Sequence, residues 1–179
     1  FRILSTDPTL VFRDDFEYEN LTEGNWIYCV AGECVGNGSG QAVTSSQYAK
    51  HGTSSLMITA EKTKGWYYAN WIYRKLWLPR TANTTLSFYI DANCSSYYDF
   101  MAIVISDELW ENQVYLATPN DHPSEYMVKL PAPQGFFTFN LSQIWLERFN
   151  STLPNSIYIE IQIADFDSIR DVGFIDYIT

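Results

Sequence analysis

Apolar side chains recur at every second position through much of this chain, and that period confines it to β-structure. In Ser156 to Ile163, Ile157, Ile159, Ile161 and Ile163 point one way, while Tyr158, Glu160 and Gln162 point the other. Leu86, Phe88 and Ile90 repeat the pattern, as do Leu56, Ile58 and Ala60, and Tyr126, Val128 and Leu130. Met101 to Ile105 is a continuous apolar run, as in a strand covered on both faces. Turn chemistry at Gly36 to Gly40, Pro79 to Asn83, Pro119 to Pro123, Pro131 to Gly135 and Leu153 to Asn155 separates these runs. The spacing predicts about ten short strands in one two-layer antiparallel sandwich or barrel. Helical spacing of Ile144, Trp145 and Arg148 predicts a turn or two of helix over Leu141 to Phe149.

Composition supports the same class. Aromatic residues make up 17 % of 179 residues and charged ones only 18 %, a mixture that suits pleated, half-buried surfaces rather than disorder or a solvated helix bundle. The net charge of -10 repels nucleic acid and anionic lipid. It suits calcium as a partner, or solubility alone. No apolar run approaches membrane-spanning length. The numbering opens at Phe1 without an initiator Met, as expected of a processed export product.

Six Asn-x-Ser/Thr triplets, at Asn20, Asn37, Asn83, Asn93, Asn140 and Asn150, predict a glycosylated, exported protein at a cell surface or in the medium. Of the three cysteines, Cys29 and Cys34 flank a four-residue turn that an oxidising compartment can staple. Cys94 is left over as a semi-buried thiol, or it pairs with one of the other two.

Residues 1–8 are expected to form an extended N-terminal arm, and residues 9–179 a single domain. Phe1 to Ser5 is apolar, Asp7-Pro8 breaks it, and Thr9 to Phe16 has the look of a first sandwich strand. The arm pairs either with its own sheet or with that of a neighbouring copy.

Phe12-Arg13-Asp14-Asp15-Phe16-Glu17, then Trp26, then His51-Gly52-Thr53-Ser54-Ser55-Leu56, and a closing Phe174-Ile175-Asp176-Tyr177-Ile178 together resemble β-jelly-roll carbohydrate-binding modules, sandwiches of the galactose-binding kind. The resemblance spans roughly Val11 to Thr179 and implies a jelly roll. It also implies a structural calcium, with Glu17 and Asp176 as ligands, Asp15 as a further one, and backbone carbonyls near His51 completing the shell. The other reading of these acids is a solvated edge. Asp165, Asp167 and Asp171 are expected to form a charged loop.

The stretch from Trp66 to Trp77 is the most aromatic in the chain. Alternation puts Trp66, Tyr68, Asn70 and Ile72 on one face and Tyr67, Trp71, Tyr73 and Trp77 mostly on the other. One face is core; the other is a glycan platform, a subunit interface or internal packing, with Trp66, Tyr68 and Trp71 as candidate contacts. Catalysis is not expected. His51 and His122 are the only histidines, no nucleophile elbow is present, and no carboxylate pair stands out.

Two functions follow. The first is a secreted, glycosylated structural subunit of a pilus-like filament or surface assembly. Copies join head to tail through donation of the arm, with Phe1, Ile3 and Leu4 as anchors. The alternative is a calcium-stabilised carbohydrate-binding or adhesion module with glycans as partners.

Overall fold

The computed structural model describes residues 10–29, 36–79, 83–94, 96–118 and 127–179. One strand organises the rest. β3 (Ser55–Trp77) runs 23 residues and pairs with four other strands along its length. Its first part pairs with β10 (Asp171–Asp176) up to Ala60 on one side and with β2 (Gly36–Ser45) as far as Tyr68 on the other. Its last part, Tyr68 to Trp77, pairs with β9 (Ser156–Asp165), and Ile72 and Tyr73 pair with β1 (Ile27–Tyr28).

Each part of β3 anchors a wing. Beyond β10 lie β4 (Thr85–Asn93) and β8 (Gln134–Asn140). Beyond β9 lie β5 (Phe100–Ser106), β6 (Gln113–Ala117) and β7 (Met127–Lys129). All pairings are antiparallel except that of β6 with β7.

Inner side chains of both wings enter one buried cluster. Leu56, Ile58, Phe88, Ile90 and Ile175 come from one wing, and Ile72, Ile103, Ile105, Leu116 and Ile159 from the other. The ten-stranded sheet therefore folds over on itself, giving the all-β sandwich that the period-2 pattern predicts, of the jelly-roll type that the resemblance implies. Each fully buried isoleucine or leucine contributes about 2–3 kcal/mol relative to exposure. The expected runs at Leu56, Leu86, Met101 and Ser156 all lie in strands with buried inner faces.

The helix forms where its spacing places it. α1 (Leu141–Phe149) buries Leu141 and Trp145. Asn140 caps its N-terminus, Oδ1 accepting from the Gln143 amide at 3.0 Å. Asn150 closes it in the left-handed region at φ 50°.

Two expectations need correction. Gly36 to Gly40 is not a turn but the start of β2. A Cβ at Gly38 would stand 2.4 Å from the Tyr68 ring and one at Gly40 2.7 Å from Asn70 Nδ2, so these glycines serve close approach to β3. Thr9 itself lies outside the described residues, and the strand expected from it to Phe16 is reduced to one antiparallel bridge, Asp14 with Ile178.

Side-chain chemistry holds this N-terminal segment instead. The Asp14 carboxylate accepts from the Phe16 amide (2.9 Å), Trp26 Nε1 (2.8 Å) and Tyr18 hydroxyl (3.2 Å), and faces Arg74 Nη1 at 3.6 Å. The Arg74 guanidinium also donates to the Gly24 carbonyl and lies 4.5 Å from the Phe12 ring centre. The arm residues Phe1, Ile3 and Leu4 lie outside the described residues.

Candidate functional site

The outer face of the β9 wing carries the aromatic residues. Register sets Trp71 opposite Gln162, Tyr73 opposite Glu160, Lys75 opposite Tyr158 and Trp77 opposite Ser156. Residues paired across an antiparallel ladder share a face. The partners Asn70, Ile72 and Leu76 then point inward, where Ile72 is fully buried. The outer face thus presents Tyr67, Trp71, Tyr73 and Trp77 along one strand, a row of about 33 Å. The loop after β5 adds a ring: Trp110 stacks on Tyr158 with centroids 4.8 Å apart and planes at 15°, and meets Tyr73 edge-on at 5.8 Å. Trp77 remains 70 % exposed and Trp110 36 %, so flat ring surface is available to a ligand.

Polar groups are few here and specifically placed. Lys75 Nζ bridges to Glu108 at 3.0 Å and lies 4.9 Å from the Trp77 ring centre. Glu160 sits in the middle of the row Tyr115, Val104, Glu160 and Tyr73. It is buried, and loss of hydration pushes its carboxyl up to about 8. Burial first, then the nearby Glu160 carboxyl, pushes the Tyr115 hydroxyl up to about 12. Beside Glu160 on the same face, Gln162 has an amide oxygen that is buried with no hydrogen-bond partner. Further out, Ala102, Val104 and Ala117 exclude water and pack with Phe100, Tyr115 and Met127 in a second apolar cluster.

Of the expected contacts, Trp71 alone lies on this face. Tyr68 belongs to the core, only 7 % exposed, because an even-numbered residue of β3 faces inward here. Trp66 is 89 % exposed, but it lies in the stretch before Tyr68 that does not pair with β9. Sequence reasoning missed Tyr73, Lys75, Trp77, Trp110, Tyr158, Glu160 and Gln162 as members of one surface. The alternation of β3 already grouped Tyr73 and Trp77 with Trp71, but left open which face is core and drew its candidate contacts from both. That β9 and the loop carrying Trp110 join them depends on strand order, which no local pattern records.

The acids implied by the resemblance are partly brought together. Glu17 and Asp176 both hold the loop from Lys50 to Ser54. Glu17 Oε1 accepts from the amides of Thr53 and Ser54, and Oε2 from the Thr53 hydroxyl. Asp176 Oδ2 accepts from the amides of Lys50 and His51, while Oδ1 is buried without a hydrogen-bond partner. Gly52, at φ +74°, has Glu17 packed where a Cβ would stand. Asp15 is drawn aside to Arg13, at 3.4 Å, whose guanidinium also meets His51 Nε2 at 3.2 Å.

Among the described residues the three carboxylates within 4.8 Å of one another are Asp99, Asp165 and Asp171, all buried. The charged loop expected at Asp165 to Asp171 is therefore corrected: Asp167 is exposed, but its neighbours turn inward. Asp165 binds the amides of Lys62, Asp167 and Ser168, and Asp99 those of Ser96 and Phe166, so both acids shape loop backbone. Cys94 is free, and burial together with these three carboxylates pushes its thiol well above the ordinary range. Cys29 is disulfide-bonded, and Cys34 lies outside the described residues. Asn20, Asn37, Asn83, Asn93 and Asn150 are exposed, and Asn140 is half-buried as the helix cap.

No protein-family model matches the chain, and no curated protein matches it. Among the described residues no helix is long and apolar enough to cross a membrane, which says nothing of a β-barrel. Solved structures do match. A carbohydrate-binding module from the β-sandwich superfamily studied for promiscuous specificity is 14 % identical with a TM-score of 0.58, covering 92 % of this chain and 61 % of that one. This chain thus spans about three fifths of that structure's length. The family 11 module of Clostridium thermocellum, solved with a β-1,3-1,4-mixed-linked tetrasaccharide, is 12 % identical with a TM-score of 0.53, covering 92 % and 91 %. Cip1, a cellulose-induced protein, is 13 % identical with a TM-score of 0.53, covering 94 % and 95 %. The solved structures similar in fold to this chain are mostly β-sandwich carbohydrate-binding modules.

Proposed function

We propose that this chain is an extracellular, glycosylated carbohydrate-binding module whose ligand lies on the outer aromatic face of the β9 wing. The observation that carries this reading is the alignment of Trp71, Tyr73 and Trp77 with the Trp110–Tyr158 stack on one surface. Ring faces stack on the C–H faces of sugars, while Glu160 and Gln162 bond hydroxyls. The solved structures of like fold support the same class. Affinity electrophoresis through gels containing soluble glucans, xylans, mannans and galactans tests it. Retardation by at least one glycan, weakened about tenfold by Trp77→Ala or Trp110→Ala and not by Trp66→Ala, is the expected result. Migration unchanged in every gel overturns it.

Calcium belongs to the same proposal. The partnerless Oδ1 of Asp176 and the less-occupied Oε2 of Glu17 suit a hard cation; Asp15, facing Arg13, does not. When bound, the ion would fasten the Lys50–Ser54 loop to β10. Added calcium should raise the melting temperature of the wild type, and Asp176→Asn should abolish that rise. Strand donation into a filament gains no support from the described residues, since Phe1, Ile3 and Leu4 lie outside them.

A further inference from the structure

Glu160 and Gln162 stand side by side on β9, about 7 Å apart along the outer face. Tyr73 and Trp71 of β3 flank them on one side, and Val104 and Ala102 of β5 on the other. Among the described residues nothing hydrogen-bonds the Glu160 carboxyl, and no protein donor reaches the amide oxygen of Gln162. The Glu160 side chain is buried, and so is the amide oxygen of the half-buried Gln162; leaving such groups without partners is costly unless something else completes them. Both belong to the surface where the stacking rings are exposed.

We propose that Glu160 and Gln162 are the specificity-determining pair of this module, bonding hydroxyls of a neutral sugar and excluding uronic-acid glycans. This rests on the carbohydrate-binding reading above and narrows it to an uncharged ligand. Burial holds the proton on Glu160 near neutral pH, so the acid donates a hydrogen bond much as an amide does. The Gln162 amide offers oxygen or nitrogen according to its last torsion.

A uronate carboxylate is favoured by an unengaged cation beside it, and the nearest cations among the described residues are paired or distant. Lys75 is already committed to Glu108 at 3.0 Å and lies over the rings of Trp77 and Tyr158. Lys129 stands three strands away at the edge, roughly 14 Å from Gln162. The protein as a whole carries a net charge of -10, which disfavours a polyanion further.

Titration calorimetry of the whole chain tests this, with gluco-, xylo-, manno- and galacto-oligosaccharides set against oligogalacturonate and oligoalginate. The wild type should bind at least one neutral series and bind the uronates at least a hundredfold more weakly. Glu160→Ala and Gln162→Ala should each weaken neutral binding about tenfold, while Glu160→Gln stays within about threefold of wild type. Thermal melts of each variant separate lost binding from lost fold. Uronate binding as tight as neutral binding, or neutral binding indifferent to both alanine variants, overturns the inference and leaves the carbohydrate-binding reading standing. A wild type that binds none of these glycans overturns both.

Discussion

Glu160 couples this surface to pH through the stability of the fold. In the unfolded chain its carboxyl titrates near 4.5, whereas burial raises it to about 8 in the folded protein. Below pH 4.5 both states hold the proton, and Glu160 adds no pH dependence. Between pH 4.5 and 8 the unfolded chain has released a proton that the folded one keeps, so this group makes stability fall as pH rises. Above 8 both are ionised, and the loss levels off at a few kcal/mol. Glu160→Gln should therefore melt several degrees above wild type at pH 8 and close to it at pH 4, as thermal denaturation followed by circular dichroism would show. The face that Glu160 shares was only half readable from residues. Period 2 puts Tyr73 with Trp77, but Trp66, Tyr68 and Trp71 are chemically alike, and only pairing with β9 tells a core tyrosine from a surface tryptophan.

Elements with a strong local signal are recovered with near-complete bounds. α1 runs from Leu141 to Phe149 because Asn140 and Asn150 mark its two ends as well as its helical spacing does. Asn140→Ala should cost about 1 kcal/mol, read as a lower urea midpoint with unchanged slope. The cap uses Oδ1 and leaves Nδ2 for a glycan, so glycosylation at Asn140 and capping are compatible. The N-terminal segment teaches the opposite lesson. Its alternation suggests a strand, yet the single Asp14–Ile178 bridge contributes less than the buried carboxylate of Asp14 and its partners. Removing one member of such a pair strands the other, so Asp14→Ala should cost roughly 3–5 kcal/mol. Replacing the pair with Asp14→Asn and Arg74→Met should cost less than Asp14→Ala alone, measured by equilibrium unfolding. Glycines misled for a similar reason: Gly36 to Gly40 reads as a turn, whereas β2 uses Gly38 and Gly40 to lie flush against Tyr68 and Asn70.

Across the whole molecule, the sandwich was accessible from alternation and composition because both follow from burying one face of each strand. Strand order was not, since β3 beside β9 and β10 depends on contacts a hundred residues apart in the chain. That order has a mechanical outcome. Because β3 is a member of both wings, neither wing has a complete set of neighbours once the other is gone, and the sandwich has no seam along which to come apart. Calorimetry should record a single endotherm whose van't Hoff and measured enthalpies agree, and amide exchange should be slowest at Ala69 to Ile72 and at Leu56 to Ala60 alike. A protease nick after Lys64 would sever that common spine, and both products should lose their fold together rather than leave one half standing.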